Sequence, residues 1–154
     1  MKELLPKLQN MGLTFAAAES CTGGMICETI TSAPGASAVF LGGVVSYANE
    51  VKIGLLGVSA KVLSEKGAVC EDVAGQMAEG VIRATGADIG ISTTGIAGPG
   101  GGTVDKPVGT VCFGISSKNG TKTYTRHFGC DKDRDEIRRL ACDFALSLVS
   151  DEVK

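Results

Sequence analysis

The sequence predicts an α/β fold: a single domain whose mixed β-sheet carries helices on both faces, in three αβα layers. Short apolar runs alternate with longer segments of helical periodicity, as expected when helices connect the strands of a sheet. Two later strand patterns follow each other across Asn119-Gly120, a dipeptide typical of hairpin turns. With 154 residues, 44% of them hydrophobic, the chain can bury one core, so we expect one domain over residues 1–154.

The first elements are predicted from apolar spacing and glycine positions. An opening helix is expected over residues 2–11, because four apolar side chains share one face: Leu4, Leu5, Leu8 and Met11. Residues 13–19 are mostly apolar and show no alternation, which predicts a strand buried on both faces. A helix follows over residues 25–31, with Ser20 or Thr22 as its expected N-cap.

A second strand is predicted over residues 38–49, where the adjacent Gly42 and Gly43 permit a β-bulge or a close backbone approach. Three helices are expected to follow it, at residues 50–57, 59–66 and 71–85. The last of them is the clearest, because apolar residues recur every four positions and Gly86 ends it.

The second half begins with a strand over residues 87–95 and the glycine-rich loop "IAGPGGGTVDKP". Two strands over residues 108–117 and 121–128 form the predicted hairpin. A closing helix over residues 130–149 directs five apolar side chains inward: Ile137, Leu140, Ala141, Phe144 and Leu148.

Composition narrows the function classes. A net charge of −2 and a pI near 5.4 argue against nucleic-acid or anionic-membrane partners. No apolar run reaches the roughly 18 residues that span a bilayer, and the N-terminus is not that of a secretory signal, so we expect a cytoplasmic protein. The six cysteines have no CxxC spacing, and His127 has no partner at ligand spacing. We therefore expect reduced thiols, no metal and no cofactor.

Ser20 is the first candidate for chemistry. It follows a predicted strand at the carboxyl end of the sheet, where open α/β folds place ligands. Gly23 and Gly24 allow close approach to it, and the start of the next helix offers free N–H groups to a developing oxyanion. The alternative from spacing alone is that Ser20 only caps that helix.

A serine nucleophile needs a base, and histidine is nearly excluded because His127 falls in the hairpin. A lysine can serve if burial lowers its pKa. Lys52 follows a strand end and can reach the same sheet edge, while the Tyr47 hydroxyl can relay a proton or orient the amine. The alternative is a solvated surface lysine.

Anion binding has two candidate elements. Gly95, Gly98, Gly100 and Gly101 lie in a loop whose N–H groups can face a phosphate or carboxylate, although it has neither Walker A nor GxGxxG context. Arg134, at the start of the last helix, suits a phosphate, with Arg138 one turn further. The alternative for the loop is a simple surface connection, and the alternative for the two arginines is a solvated helix face.

Four stretches in this order together resemble one family: AESCTGG, GVVSYANEVK, TTGIAGPGGGTVDKPVGTV and RDEIRR. The chain is similar over residues 4–148 to the CinA C-terminal-domain family, the bacterial nicotinamide-nucleotide amidases. The resemblance implies hydrolysis of the carboxamide of nicotinamide mononucleotide, giving nicotinate mononucleotide and ammonia in pyridine nucleotide salvage. It also implies a metal-free serine–lysine mechanism and a homo-oligomer.

Carried over by motif, the resemblance makes Ser20 the nucleophile and Lys52 the general base, with Tyr47 supporting them. Thr94 and Arg134 are expected to bind substrate. Six glycines are expected to line the substrate: Gly23, Gly24, Gly95, Gly98, Gly100 and Gly101.

The chain departs from the family pattern at Cys70, where the family usually has serine, and we expect Cys70 to be a poor helix cap. Many members also carry a further N-terminal domain, which we expect to be absent here. Two alternative functions stay open. One is a non-catalytic interaction module linked to competence or DNA damage, and the other is a Ser–Lys amidase for another amide.

Overall fold

One five-stranded mixed sheet organises the chain in the computed structural model, which describes residues 3–154. Its strands are β1 (Phe15–Glu19), β2 (Phe40–Val45), β3 (Ile89–Gly95), β4 (Thr110–Ser117) and β5 (Gly120–His127). Their order across the sheet is β2-β1-β3-β4-β5. The first three strands run parallel, whereas β4 is antiparallel to both β3 and β5. The predicted mixed sheet with a closing hairpin is confirmed.

Helices cover both faces of the sheet. They are α1 (Leu4–Met11), α2 (Met25–Thr31), α3 (Asn49–Leu56), α4 (Ala60–Lys66), α5 (Glu71–Thr85) and α6 (Arg134–Glu152), with a 3₁₀ turn at Ala36–Ala38. On one face, α5 lies across the strands and packs against α3 and α4. On the other face, α2 and α6 pack against the sheet together with α1. The predicted three-layer αβα architecture is confirmed.

Strand β1 shows how the chain divides its core between the two faces. Ala16 and Ala18 join the core under α5, whereas Phe15 and Ala17 join the core under α2 and α6. Glycine lets α5 approach the sheet closely, because a Cβ at Gly90 would lie 2.1 Å from the Ala78 carbonyl oxygen. A Cβ at Gly114 would lie 2.3 Å from that of Ala74. Part of the high glycine content therefore serves helix–sheet packing.

Several predicted boundaries were too wide. Strand β1 begins at Phe15 and β2 covers only Phe40–Val45. The expected bulge is present, because Phe15 pairs with Phe40 and the next residue, Ala16, pairs with Gly42. The inward position predicted for Met11 was wrong, since its side chain is 51% exposed beyond the last buried turn of α1. The predicted helical start at residue 2 lies outside the described residues.

The closing helix begins later than predicted, at Arg134, because Asp133 caps it. The Asp133 carboxylate accepts from the Glu136 N–H at 2.8 Å, and the Glu136 carboxylate accepts from the Asp133 N–H at 2.9 Å. This reciprocal capping box satisfies two N–H groups at the helix start. It fixes the position from which the arginines of α6 extend.

Apolar side chains remain exposed along the β2 edge of the sheet and on α3. They are Leu41, Val45, Tyr47, Ile53 and Leu55. The expected homo-oligomer stays a prediction. Within residues 3–154, no helix is both long enough and apolar enough to cross a membrane.

Candidate active site

Three hydroxyl side chains meet at the carboxyl end of the parallel strands. The ladder continues past β1 and β2, because the Ser46 N–H donates to the Glu19 carbonyl at 2.8 Å. The Ser20 N–H likewise donates to the Thr93 carbonyl at 2.9 Å. Since side chains alternate along strands, this register puts Ser46, Ser20 and Thr94 in one row, on the α3/α5 face.

Helix α3 brings Lys52 into this row. The side chain is only 1% exposed, and its Nζ lies 3.0 Å from Ser20 Oγ. The same Nζ donates to the carbonyl oxygens of Ser46 at 2.6 Å and Tyr47 at 3.3 Å. The predicted approach of Lys52 to Ser20 is therefore confirmed, and the alternative of a solvated surface lysine was wrong.

This environment suits a neutral amine at Lys52. Burial lowers the pKa of the ammonium group from its ordinary 10.5, because the charged form loses its hydration. A neutral amine has two N–H groups and one lone pair. Two backbone carbonyls can take the two N–H groups, which leaves the lone pair for the Ser20 hydroxyl. The arrangement can accept a proton from Ser20.

The neighbouring thiol is not a competing nucleophile. Cys21 is buried, and burial raises its pKa to about 12, so the thiol stays protonated near neutral pH. His127 lies on β5, at the opposite edge of the sheet from β2, where its Nδ1 is 3.1 Å from Thr110 Oγ1. Neither residue can replace the Ser20–Lys52 pair.

Glu19 holds the turn after β1, a role that sequence reasoning missed. Its fully buried carboxylate accepts from the N–H groups of Gly24 at 3.0 Å, Ile26 at 3.0 Å and Cys27 at 2.9 Å. The expected cap, Ser20 or Thr22, was wrong, because neither side chain caps α2. The sequence did contain a signal for this role: a glutamate ends an apolar strand, and two adjacent glycines follow it within five residues.

The glutamate also changes which N–H groups are free. The expectation of free donors at the start of α2 was wrong for Gly24, Ile26 and Cys27, which donate to Glu19. The Gly23 N–H donates to the Ser20 carbonyl at 3.1 Å. Gly23 and Gly24 both have positive φ, at 60° and 102°, so they shape the tight turn after Ser20.

Arg134 links two segments near this edge. Its Nη1 donates to the Gly98 carbonyl at 2.7 Å, and its Nη2 donates to the Tyr47 hydroxyl at 3.3 Å. The Tyr47 side chain is 64% exposed, and it is the Tyr47 backbone carbonyl that contacts Lys52. The catalytic support predicted for the Tyr47 hydroxyl stays a prediction.

The other predicted substrate-binding residues lie on β3 and its following loop. Thr94 is buried and its hydroxyl donates to the Ala68 carbonyl at 2.9 Å. Gly95 ends β3 against Val111, and Gly98 needs its positive φ of 79°. Gly100 and Gly101 are exposed in the loop. Their roles toward a substrate stay predictions.

Cys70 occupies the N-cap position of α5 and makes no side-chain capping bond. Its Sγ lies 3.5 Å from the Gly67 carbonyl oxygen instead. The expectation of a poor cap is confirmed, because a thiol is a weak acceptor for the N–H groups at a helix start.

We predict that Glu19→Gln lowers the free energy of unfolding by about 1–3 kcal/mol, because an amide group replaces one oxygen that accepts buried N–H groups. Urea unfolding measures the difference. Glu28→Gln is the matched control, since Glu28 is an exposed glutamate in α2, the helix whose first N–H groups donate to Glu19. Equal unfolding free energies for the two variants would contradict the role of Glu19.

The amino-acid sequence of the chain is similar to that of one protein family. Residues 1–153 match the family model described as the CinA C-terminal domain. A CinA-like protein of Leptospira borgpetersenii is 46% identical over 99% of this chain and 36% of its own length. A CinA-like protein of Chloroherpeton thalassium is 49% identical over 92% of this chain and 34% of its own length. The chain thus spans about a third of these curated relatives.

Solved structures have the same fold over nearly their whole length. The competence/damage-inducible protein CihA from Agrobacterium tumefaciens has a TM-score of 0.93 and 38% identity, covering 96% of this chain and 90% of that chain. A competence or damage-inducible protein from Enterobacter asburiae has a TM-score of 0.93 and 32% identity, covering 99% of this chain and 95% of that chain.

Proposed function

Because the chain belongs to the family of CinA C-terminal domains, we propose that it hydrolyses the carboxamide of nicotinamide mononucleotide to nicotinate mononucleotide and ammonia. The observation that carries the proposal is the buried Lys52 amine, 3.0 Å from Ser20 Oγ. A buried base beside a hydroxyl nucleophile is the minimum equipment for breaking an unactivated amide. The buried amine also favours an enzyme over a non-catalytic interaction module, since burying a lysine is costly and such groups concentrate at functional sites.

The reaction proceeds in two acyl-transfer steps. Ser20 Oγ attacks the carboxamide carbon while the Lys52 amine takes the hydroxyl proton. The C–N bond of the tetrahedral intermediate then breaks, and the Lys52 ammonium group returns the proton to the leaving nitrogen as ammonia. Water, deprotonated by the same amine, attacks the acyl-serine ester. As the ester bond breaks, the Lys52 ammonium group returns its proton to Ser20 Oγ, and the nicotinic acid loses its proton to solvent as nicotinate; Ser20 and the Lys52 amine are thereby restored.

Recognition of the substrate phosphate belongs to Arg134 in this proposal. The side chain uses Nη1 and Nη2 for Gly98 and Tyr47, and it carries a full positive charge beside the glycine-rich loop. A guanidinium group beside a glycine-rich loop suits a dianionic phosphate. A Ser20–Lys52 pair that did not require a phosphate would hydrolyse a different amide. Substitution of Arg134 therefore tests the class of substrate.

We predict that the protein releases ammonia from nicotinamide mononucleotide and that Ser20→Ala and Lys52→Met each lower kcat by at least about 10³-fold. Ammonia release and product chromatography measure the rate. Matched controls are Ser64→Ala and Lys61→Met, exposed residues of α4, which should keep wild-type rates. An active Ser20→Ala variant would remove the nucleophile. Folded wild-type protein without turnover would sink the proposed substrate.

The pH dependence tests Lys52 directly. Protonated Lys52 cannot accept the Ser20 proton, so kcat/KM should fall as pH falls through the Lys52 pKa. Burial lowers that pKa, so the acid limb should lie below pH 10.5, the ordinary lysine value. Because the folded-state pKa is depressed, stability should rise with pH between the folded-state value and 10.5.

The pH–rate profile and urea unfolding at several pH values measure these two effects. In the Lys52→Met variant, the residual activity should lack the acid limb and the corresponding rise in stability should be absent. An acid limb that persists unchanged in Lys52→Met would assign the titration to another group.

We predict that Arg134→Ala raises KM for nicotinamide mononucleotide about 10- to 100-fold, because a charged hydrogen bond contributes about 1.5–3 kcal/mol. The KM for nicotinamide riboside, which lacks the phosphate, should change little. Steady-state kinetics on both substrates separates phosphate binding from the links to Gly98 and Tyr47. Arg139→Ala is the control, since Arg139 is 70% exposed on the same helix. Equal losses on both substrates would contradict phosphate recognition.

A further inference from the structure

The Ser46 hydroxyl group is buried beside the candidate base and has no hydrogen-bond partner. Among the buried side-chain nitrogen and oxygen atoms of residues 3–154, Ser46 Oγ alone lacks one, and the residue is 0% exposed. Leaving a buried hydroxyl unpaired is costly, and an alanine at this position would avoid the cost. The hydroxyl therefore calls for a physical explanation, and the acyl-transfer steps do not use it.

The main chain of Ser46 is fixed on both sides of this hydroxyl. Its N–H donates to the Glu19 carbonyl oxygen at 2.8 Å, and its carbonyl oxygen accepts from Lys52 Nζ at 2.6 Å. Val44, two residues earlier, packs in the core under α5, so the alternation of side chains directs Ser46 to the face that holds Lys52. The hydroxyl thus belongs to the residue that binds the amine. Rotation about χ1 can turn it toward Nζ without breaking either main-chain bond.

The reaction forms an ammonium group at Lys52 that has one more N–H than the neutral amine. The carbonyl oxygens of Ser46 at 2.6 Å and Tyr47 at 3.3 Å take two N–H groups, and the second contact is long for an N–H···O bond. The third N–H must leave Ser20 Oγ and turn to the leaving nitrogen. A further acceptor would stabilise the charge at that moment, because hydrogen bonds to ionised groups are the strong ones.

We propose that Ser46 is a positioning residue whose hydroxyl oxygen accepts a hydrogen bond from the Lys52 ammonium group; the inference rests on the proposed amidase function. The hydroxyl has no partner while the amine is neutral, and it gains one when the amine takes the Ser20 proton. It thereby stabilises the charged intermediate more than the resting enzyme, which is what accelerates a chemical step. Because Ser46 is fully buried, it acts through Lys52 and does not contact the substrate.

The ionisable groups around the amine are few. Burial lowers the pKa of the amine and a thiolate at Cys21 would raise it, but burial raises the pKa of that thiol to about 12, so it stays protonated near neutral pH. Glu19 of β1 points to the opposite face, where it binds the start of α2. Arg83 of α5 binds the carboxyl end of α3, and Glu50 is exposed at the start of α3. From α6, Arg134 binds the glycine-rich loop and an exposed hydroxyl. The acid limb of the pH–rate profile therefore reports the hydrogen bonds of the amine itself.

The test compares Ser46→Ala with Ser92→Ala. Ser92 is a buried serine on the same face, and its hydroxyl donates to the Ala74 carbonyl oxygen at 2.6 Å. In Ser46→Ala we expect the acid limb to move about one to two pH units lower, because the lost hydrogen bond is to a charged group. The plateau kcat should fall about 10- to 100-fold for the same reason, while KM stays close to wild type. Ser92→Ala should keep the acid limb and the plateau.

Urea unfolding at pH values above and below the acid limb measures the same bond without any need for activity. Above the limb the amine is neutral, so Ser46→Ala should be at least as stable as wild type, because it lacks an unpaired hydroxyl. Below the limb the ammonium group has lost an acceptor, so the variant should be less stable than wild type. Ser46→Thr keeps the hydroxyl and should restore the wild-type limb. Ser92→Ala should lose the same stability at both pH values.

Labelling of Ser20 by an alkyl fluorophosphonate, read by intact mass over the same pH range, distinguishes this inference from the proposed function. In that reaction Ser20 Oγ bonds to phosphorus, fluoride leaves, and Lys52 takes the proton. Labelling with an acid limb that Ser46→Ala shifts, without turnover of nicotinamide mononucleotide, would sink the substrate and support the hydrogen bond.

Other outcomes would overturn the hydrogen bond and leave the amidase intact. They are an acid limb that Ser46→Ala does not move or moves to higher pH, and a stability difference that is equal at both pH values. Wild-type protein that is neither active nor labelled would overturn the amidase, and the two unfolding measurements would still decide whether Ser46 binds the ammonium group.

Discussion

The burial of the Lys52 amine is the constraint on which the candidate active site depends. An amine removed from water must find acceptors, and the carbonyls of Ser46 and Tyr47 supply them at the end of β2. These carbonyls face the amine only because β2 stops at Val45 and α3 starts at Asn49. The short β2–α3 connection therefore sets both the position of the base and the direction of its lone pair.

Side chains alternate between the two faces of the sheet along β1, so consecutive residues at its end have different roles. Glu19 points toward α2, where its carboxylate takes three N–H groups, and Ser20 points toward α3 and Lys52. The anionic carboxylate is thereby separated from the amine by the sheet itself. A carboxylate on the α3 side would favour the ammonium form and oppose proton acceptance. Strand geometry thus protects the base while the glutamate anchors the turn.

The fold was predictable because local patterns determined most of it: the Asn119-Gly120 hairpin, the glycine stops and the spacing of α5. The site was predictable only in part. Spacing alone left two interpretations for each residue, nucleophile or helix cap for Ser20 and base or surface lysine for Lys52, and the family resemblance was needed to decide between them. The capping by Glu19 depends on backbone groups of residues 24–27 that meet it only in the folded turn. The outward direction of the Tyr47 ring likewise depends on tertiary contacts with Arg134.

The start of α6 supports the substrate loop and the nucleophile turn at once. Residues four apart lie on the same helix face, so Arg134 and Arg138 extend in the same general direction. Arg134 reaches Gly98 in the glycine-rich loop, and Arg138 reaches the Cys21 and Thr22 carbonyls. The Asp133 capping box fixes the helix end from which both side chains extend. A displacement of this helix end would therefore move the loop contact and the turn contact together, so one rigid element positions both the glycine-rich loop and the turn that follows Ser20.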